Sequence, residues 1–374
     1  MNKASLRIIE FGDVHLGHPH TTTIEIITRL RECFSTIQWK SIDLVFIAGD
    51  VFDRLLHLPD LNVIEIRLWI VEFLTECQHH DVCVRVLEGT PSHDWKQSRL
   101  FTHLNEIAQI GADVLYFDYL TIEYLAKFDI TVLYIPDEWK PECDDIWKEV
   151  TKTLKEHNLE KVDFTLMHGS FDYQLPPNVP APTHNPHRYL SITRYLVFIG
   201  HVHKFSREDR IIAAGSFDRL CHGEEEAKGI IDAKVYKEGY FDITFIENKQ
   251  AKQYKTIDCT HLKVHHTLKH IERELKQLPP LSHVRIQASK DDAILVSLDT
   301  LRKKYPSIYF TTKVEKGEVL TEEFLIDLKR KYQPISITKD NIKRLLLDRI
   351  QLKQVDSPLL DTIGSVLDEH ISPP

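Results

Sequence analysis

The sequence predicts an α/β fold for residues 1–250, and three features of the chain indicate it. Short apolar runs alternate with longer segments in which apolar residues recur at helical spacing. Glycine, aspartate or histidine follows directly after most of the apolar runs. Beyond residue 199 the pattern is that of successive strands. We therefore predict one layered sheet with helices packed against it, followed by a smaller domain.

Each predicted strand is a short apolar run rich in β-branched and aromatic residues. In chain order the predicted strands cover residues 7–11, 44–48, 82–87, 131–135, 162–167, 195–199, 211–214, 229–236 and 240–246. Residues 24–34 and 63–74 have apolar positions spaced for an amphipathic helix. These helices separate the first three strands, which is the order expected of parallel strands in an α/β sheet.

The polar stretch 248–255 is predicted to be a linker. After it, a helix at 268–278 that ends at Pro279-Pro280, a strand at 284–288, a helix at 293–304 and a strand at 308–312 indicate a small α/β domain. Two amphipathic helices follow at 339–352 and 359–369. We predict three parts, residues 1–255, 256–334 and 335–374.

Composition excludes several classes of protein. A hydrophobic fraction of 42% is too high for a disordered chain. The sequence contains no apolar run near the ~20 residues that a membrane span needs, so we expect no membrane partner. Six cysteines without a C-x-x-C pair predict reduced thiols, no cysteine-based zinc site and a cytoplasmic location.

The net charge of −9 divides into −13 for residues 1–250 and +4 for residues 251–374. An acidic first part repels nucleic acid unless divalent cations offset its charge locally. An ordinary acidic surface explains the same value, so charge alone does not decide the function.

Five polar clusters follow predicted strands directly. They are Asp13-Val14-His15, Gly49-Asp50, Ser92-His93-Asp94, His168-Gly169 and Gly200-His201-Val202-His203. Because ligands of open α/β sheets bind beyond the carboxyl ends of the strands, we expect these clusters to meet at one edge of one sheet. Each cluster by itself has a plainer explanation as a helix cap, a turn or a surface pair, but their common placement favours a site.

Mixed carboxylate and imidazole groups are ligands for Mn²⁺, Fe²⁺ or Zn²⁺. Carboxylates crowded into one cleft repel one another unless cations lie between them. A set this large can hold two ions ~3.5–4 Å apart, the arrangement that serves an in-line displacement at phosphorus. The sequence therefore predicts a two-metal phosphoesterase centre.

The order D-x-H, G-D, H-D, H-G and G-H-x-H resembles that of the calcineurin-like metallophosphoesterase superfamily. Residues 214–230, AGSFDRLCHGEEEAKGI, are similar to the G-S-x-x-R-L-x-x-G-E-x-x-x-K-G block of SbcD-type nucleases. These are the nuclease subunits of bacterial and phage SbcC–SbcD complexes and relatives of the meiotic-recombination nuclease. The stretches DVHLG at 13–17 and GDVFD at 49–53 match the same branch. The resemblance covers residues 6–247 well and 260–330 more loosely.

The resemblance implies a β-sandwich flanked by helices, a small DNA-contacting α/β cap domain and C-terminal helices. It implies that Asp13, His15, Asp50 and His203 surround one manganese ion, and that Asp50, His168 and His201 hold a second. Mg²⁺ or another divalent ion is an alternative to Mn²⁺. It also places His93 beside the scissile phosphate. We predict that Asp53 and Asp94 orient histidines rather than bind metal.

One position departs from the family pattern. The family has G-N-H-D, with the asparagine binding the second metal, whereas this chain has Gly89-Thr-Pro-Ser-His-Asp94. Ser92 stands before the histidine and is our predicted ligand at this position. Thr90 is the competing candidate. A hydroxyl is a weaker metal ligand than an amide oxygen, so the second metal site is expected to be looser.

The resemblance implies a manganese-dependent DNA nuclease, an exonuclease with endonuclease activity on single strands or hairpins, that processes DNA ends in recombination, repair or replication. Its implied partners are DNA, a coiled-coil SbcC-like ATPase that binds the C-terminal helices, and a second copy in a heterotetramer, through helices near 61–78 and 96–110. The alternatives are another two-metal phosphoesterase, or a metal-impaired scaffold that organises the ATPase on DNA ends.

Overall fold

The computed structural model describes residues 5–57, 59–137, 142–176, 179, 181–260, 262, 264–288 and 294–314. These residues lie in one compact unit that ends at Glu315. The unit is a mixed α/β structure with three sheets. The predicted helices at 339–352 and 359–369 lie outside the described residues, as does most of the predicted boundary region near residue 334.

The strands are, in chain order, β1 Ser5–Phe11, β2 Leu44–Ile47, β3 Cys83–Leu87, β4 Val114–Phe117, β5 Thr121–Leu125, β6 Ile130–Ile135, β7 Val162–His168, β8 Thr193–Gly200, β9 Ser206–Glu208, β10 Ile211–Ala213, β11 Gly229–Tyr236, β12 Phe241–Glu247, β13 Tyr254–Asp258, β14 His283–Ala288 and β15 Tyr309–Val314. The helices are α1 Thr23–Ser35, α2 Leu61–His79, α3 Pro91–Asp94, α4 Leu100–Ile107, α5 Cys143–Glu156, α6 Pro186–Ile192, α7 Val264–Leu275 and α8 Ile294–Lys304.

Two six-stranded sheets face each other. The first has the order β12-β11-β1-β2-β3-β4, and the second has the order β5-β6-β7-β8-β10-β9. Phe46 of the first sheet packs against Phe164 and Phe198 of the second, with ring centroids 6.5 and 5.7 Å apart. The central strands β1, β2 and β3 are parallel to one another, as are β6, β7 and β8. Each sheet therefore has a carboxyl edge formed by parallel strands.

Helices cover the outer faces of both sheets. On the first sheet, α1 and α2 bury Leu30, Trp69 and Phe73 against Phe11. The N-terminus of α1 is fixed by a capping box, because Thr22 and Glu25 satisfy each other's backbone N–H groups. On the second sheet, α5 and α6 form a separate apolar cluster with β6, β7 and β8.

The third sheet has the order β13-β14-β15 with parallel pairing throughout. Its strands alternate with α7 and α8, and it has its own apolar core around Ile257, Ile286 and Phe310. The described helices include none that is both long and apolar enough to cross a membrane.

The α/β class is confirmed, but the prediction of one sheet was wrong. Strands of the two facing sheets have the same apolar pattern, so the sequence does not reveal which sheet each joins. The segments that form β4, β5, α5 and α6 were not predicted, and the predicted linker at 248–255 already contains the start of β13 at Tyr254. The strand β5 is only partly buried, so its sequence does not show the alternation of apolar and polar residues that predicts a strand.

Candidate metal centre

Ends of strands from both sheets bring the predicted ligands together. Three overlapping groups have their donor atoms within 4.8 Å of one another: Asp13, His15 and His203; His15, Asp50 and His93; and Asp50, His168 and His201. Asp13 and Asp50 follow β1 and β2, whereas His168 ends β7 and His201 follows β8. The site therefore spans the carboxyl edges of two sheets.

Unusual backbone geometry turns the ligand side chains inward. Asp13, His15, Asp50 and His201 have positive φ values of 47°, 54°, 49° and 103°. Such conformations are costly for residues with a Cβ and occur preferentially at functional sites. The loops after β1 and β2 hold each other, since Val14 N donates to Asp50 O at 2.8 Å and Asp13 N donates to Gly49 O at 3.0 Å.

Two glycines permit this close approach. Gly49 has φ +86°, and a Cβ there would lie 2.5 Å from His168 Nδ1. A Cβ on Gly89 would lie 2.3 Å from Asp50 Oδ1. Any side chain at either position would displace a predicted ligand.

Asp50 is the central group. Its Oδ2 lies 3.0 Å from His93 Nδ1, 3.3 Å from His168 Nε2 and 4.0 Å from His15 Nε2. Burial opposes ionisation of this carboxyl, but His168, His93 and His15 together outweigh burial and lower its pKa well below the ordinary value. Asp50 is therefore an anion shared by both halves of the site, which is the position of a bridging ligand.

His168 is fully buried and has a fixed orientation. Its Nδ1 lies 2.7 Å from Ala48 O and donates its proton to that carbonyl, so Nε2 faces Asp50. Burial disfavours the charged ring, but Asp50 outweighs burial and raises the pKa of His168 to about 10. The site therefore attracts positive charge.

The distance between His15 and His203 shows whether the first donor group fits a cation. Their Nε2 atoms are 3.1 Å apart, and His15 is buried. Two lone pairs at this distance repel unless a proton or a metal ion lies between them. Nitrogen ligands ~2.1 Å from a shared ion have this separation. With Asp13 in the same group, the donor set fits a divalent cation.

His93 lies at the open side of the site. Its ring is half-exposed and its Nδ1 contacts Asp50 Oδ2. The hydrogen bond with Asp50 raises the pKa of His93 against the opposing effect of burial. His93 is therefore within reach of both the solvent and the ligand cluster.

Thr90, and not Ser92, lies among the ligands. The Thr90 Oγ1 atom is 3.1 Å from Asp50 Oδ2, 3.3 Å from His168 Nε2 and 3.4 Å from His201 Nδ1. Ser92 is exposed on α3, and its carbonyl accepts a hydrogen bond from the Trp95 indole. The structure therefore brings the competing candidate to the second group and leaves the predicted Ser92 side chain outside it.

Asp53 and Asp94 contact different groups of the site. Asp53 Oδ1 lies 3.2 Å from His15 Nδ1, as predicted for a residue that orients a histidine. The fully buried Asp94 instead accepts backbone N–H groups of Phe52 at 2.9 Å and Gly89 at 2.8 Å. It joins two loops of the site, and its predicted role in orienting a histidine stays a prediction. Burial raises its pKa well above the ordinary value.

Glu224 is a site residue to which the sequence analysis gave no role. Its Oε1 lies 2.9 Å from His203 Nδ1, and its Oε2 lies 3.1 Å from the ammonium of Lys228. Burial opposes ionisation, but His203 and Lys228 outweigh it and lower the pKa of Glu224 to about 2. Lys228 is buried and also donates to His203 O at 2.7 Å. Glu224 and Lys228 both belong to the block 214–230, so the resemblance of that block was the feature of the sequence that could have indicated their role.

Comparisons with known proteins give little further information. No protein-family model matches the chain, and no curated protein matches it. One crystal structure is similar at 13% sequence identity and a TM-score of 0.37, over 65% of this chain and 99% of that chain. A likeness this weak carries no inference about fold family or function.

Proposed function

We propose that this protein is a manganese-dependent phosphodiesterase that cleaves DNA, an SbcD-type nuclease with the calcineurin-like metallophosphoesterase fold. The observation that carries the proposal is the set of three overlapping donor groups, linked through His15 and Asp50, at the carboxyl edges of two sheets. A single-metal site needs fewer donors, and a structural cap needs none of the four left-handed ligand residues.

Asp13, His15, Asp50 and His203 would hold one ion, and Asp50, His168 and His201 the other, with Thr90 beside the second. Divalent ions supply Lewis-acid polarisation of a phosphate and a stronger nucleophile at neutral pH. The donor set of carboxylates and imidazoles, without thiolates, is compatible with Mn²⁺.

The protein's own groups prepare the substrate site. The carboxylates of Asp13 and Asp50 repel a phosphate in the metal-free protein, so placing the scissile phosphate between them requires their neutralisation. Half-exposed His93 is the group best placed to meet a phosphodiester oxygen and to protonate the leaving oxygen. Glu224 and Asp53 hold His203 and His15 in fixed orientations and so preserve the ligand geometry.

The proposal is tested by offering the purified chain three substrates with Mn²⁺: bis(p-nitrophenyl) phosphate, a mononucleotide and duplex DNA. We expect hydrolysis of the diester and of DNA, little of the monoester, and at least a hundredfold loss in His93→Ala. His79→Ala, on the exposed end of α2, is the matched control and should retain full activity.

Each other outcome identifies an alternative. Hydrolysis of the mononucleotide alone would contradict the nuclease and indicate a phosphomonoesterase on the same centre. Fewer than two bound ions and no hydrolysis, with or without an ATPase partner, would contradict the enzyme and favour the metal-impaired scaffold at DNA ends.

The proposed complex includes a second copy of the chain and a coiled-coil ATPase. We propose that residues 335–374, which lie outside the described part of the chain, bind the ATPase. Deletion of 335–374 should abolish co-purification with such an ATPase while hydrolysis of bis(p-nitrophenyl) phosphate persists. Retained co-purification would reject this binding segment.

A further inference from the structure

The third sheet has two unlike faces. One face is apolar and packs against α7 and α8 through Ile257, Ile286 and Phe310. The alternate positions form the other face, and they are aromatic or polar. Because successive side chains of a strand point to opposite faces, this second face is turned away from the helices.

Three rings form a row across this second face. Tyr254, His283 and Tyr309 occupy matching positions on β13, β14 and β15. The ring centroids of Tyr254 and His283 are 4.9 Å apart at 26°, and those of His283 and Tyr309 are 4.7 Å apart at 24°. The row is buried at Tyr254, half-buried at His283 and 52% exposed at Tyr309. It therefore has one closed end and one open end.

The closed end of the row contacts the segments that carry the metal centre. Tyr254 OH is 3.3 Å from Thr21 Oγ1, and the Tyr254 ring meets the edge of His222 at 5.1 Å. The ring of His20 lies 5.9 Å from His283. Since the His20 segment begins at the ligand His15 and His222 is two residues from Glu224, the row leads towards the metal centre.

Three cationic side chains lie near the row of rings. Arg285 lies two residues along β14 from His283, on the same face and near His222. Its half-buried guanidinium has neither an ion pair nor a hydrogen bond to any described residue. Lys313 is an exposed cation of β15 on this face. Lys252 lies 5.9 Å from the Tyr309 ring, but Glu25 neutralises it at 2.8 Å. Among the described residues Arg285 is thus a cation without an ion-pair partner, beside a row of rings.

We propose that this face is a binding site for one unpaired nucleic-acid strand, with a base stacked at Tyr309 and a phosphate held by Arg285. The site deepens the proposed nuclease function, on which it rests, by selecting an unpaired strand and directing it to the metal centre. Aromatic rings with nearby cations are the usual means of binding single strands without sequence preference.

The open end of the row favours an unpaired base over a duplex. In a duplex both faces of each base are covered by its neighbours, so only a base that has left the stack can lie against Tyr309. The row offers one accessible ring rather than a broad platform. It would therefore hold a single splayed base beside the cleavage site.

The test measures binding separately from cleavage. The full-length chain in EDTA is titrated into a 12-nucleotide single strand that carries 2-aminopurine, and into the matching duplex. We expect quenching of the 2-aminopurine and tighter binding of the single strand. Tyr309→Ala should weaken single-strand binding about tenfold and abolish the quenching, whereas Tyr309→Phe should retain both. Arg285→Gln should reduce the slope of log affinity against log salt by about one.

Tyr124→Ala is the matched control, because Tyr124 is 60% exposed and lies on β5. It should bind as the unchanged protein does, and thermal unfolding confirms that each variant is folded. Unchanged binding and quenching in Tyr309→Ala would overturn the proposal. A Tyr309→Ala variant that binds single strand and duplex equally more weakly, in a protein that never quenches the 2-aminopurine, would overturn it too. Binding is scored without Mn²⁺, so a protein that binds as expected but never cleaves would reject only the nuclease. A protein that hydrolyses bis(p-nitrophenyl) phosphate but lacks the stacking signal would reject only the strand site.

Discussion

Two imidazole rings of the candidate metal centre are held by a hydrogen bond at the nitrogen that faces away from it, and a third has a carboxylate beside that nitrogen. His168 Nδ1 bonds Ala48 O at 2.7 Å and His203 Nδ1 bonds Glu224 at 2.9 Å, whereas His15 Nδ1 lies 3.2 Å from Asp53 without hydrogen-bond geometry. Each contact leaves Nε2 pointing into the centre, so the rings are oriented before any ion binds. The holding groups should therefore matter for metal affinity although none of them is a ligand.

Glu224→Gln is predicted to weaken Mn²⁺ binding by about 10–100-fold, because the amide cannot hold His203 as a carboxylate does. Calorimetric titration of the metal-free protein measures the affinity. Glu226→Gln is the matched control, since Glu226 makes a similar 2.8 Å contact with Lys228 and the change removes the same charge. Equal affinities in the two variants would contradict a positioning role for Glu224.

The second metal position should depend on Thr90 and not on Ser92. Thr90→Ala removes a hydroxyl within 3.4 Å of Asp50, His168 and His201, and we expect it to weaken one of two Mn²⁺ binding events about tenfold. Ser92→Ala should leave both binding events unchanged. Thr90→Asn, which supplies an amide oxygen, is expected to tighten the weaker event. Elemental analysis after gel filtration counts the ions, and a loss in Ser92→Ala alone would reverse the assignment.

The sequence identified most candidate ligands of the centre but not the residues that support them. Asp13, His15 and Asp50 follow strands directly, and the G-H-x-H spacing marks His201 and His203. Glu224 lies 21 residues beyond His203 and meets it only through the fold. The choice between Thr90 and Ser92 depended on the path of the turn into α3, which residue types alone do not determine.

Among the helices, α2 presents an apolar stripe that nothing in the described part of the chain covers. Leu61, Ile64 and Leu68 are 76%, 51% and 51% exposed and lie on one side of the helix. A groove of about 290 Å³ lies between α2 and α4, lined in part by Val63, Leu100 and His103. We expect a second copy of the chain to cover this surface.

Ile64→Glu combined with Leu68→Glu should convert a dimer into a monomer, because burial of two carboxylates at an apolar interface is unfavourable. Sedimentation velocity measures the mass. Ile24→Glu, at a 60% exposed position on α1, is the matched control and should remain dimeric. If the protein without substitutions is a monomer, the expected interface is contradicted. If the double variant is still a dimer, the interface lies on another surface.

The segment that leads into α6 contains a buried histidine that makes stability depend on pH. His184 is 4% exposed, and its Nδ1 lies 2.9 Å from Tyr189 OH. Burial lowers the pKa of His184 to about 4, below the ~6.5 of an unfolded chain. The unfolded state therefore binds the extra proton first, and this contribution to stability is present above pH 6.5 and lost as the pH falls towards 4.

Relative to His184→Asn, the unchanged protein should lose about 3 kcal/mol of unfolding free energy between pH 6.5 and pH 4. Urea unfolding of both proteins at several pH values gives the difference. The variant serves as the reference because the other histidines titrate equally in both. A difference that does not change with pH would contradict the buried neutral ring.

At the level of elements, the sequence predicted the most buried strands and helices. The strands β2, β3 and β7 are buried along their whole length, and most of their residues are apolar. In contrast, β4 and β5 are short and only partly buried, so their side chains carry no clear period. Tertiary pairing at the sheet edges, rather than local propensity, determines these strands.

At the scale of the whole molecule, the main body at residues 5–247 consists of two facing sheets with the candidate metal centre across their carboxyl edges. One sheet supplies Asp13 and Asp50, and the other supplies His168 and His201. The strand pattern did not predict this arrangement, because nothing in a strand's own sequence indicates which of two stacked sheets it joins; only the family resemblance implied a β-sandwich. Its consequence is that an ion bound by both sheets would link them, in addition to the apolar core.

Manganese is therefore predicted to stabilise the folded chain. An ion that binds only the native state adds about 2.7 kcal/mol per site at a concentration a hundred times its dissociation constant. Asp50 belongs to two of the donor groups, so Asp50→Asn should lose most of the Mn²⁺-induced rise in Tm. Asp232→Asn breaks the surface pair with Arg7 at 2.6 Å, lowers the starting Tm slightly and should retain the full rise. Differential scanning calorimetry with EDTA and with Mn²⁺ measures both effects, and an equal rise in the two variants would mean that the ions bind elsewhere.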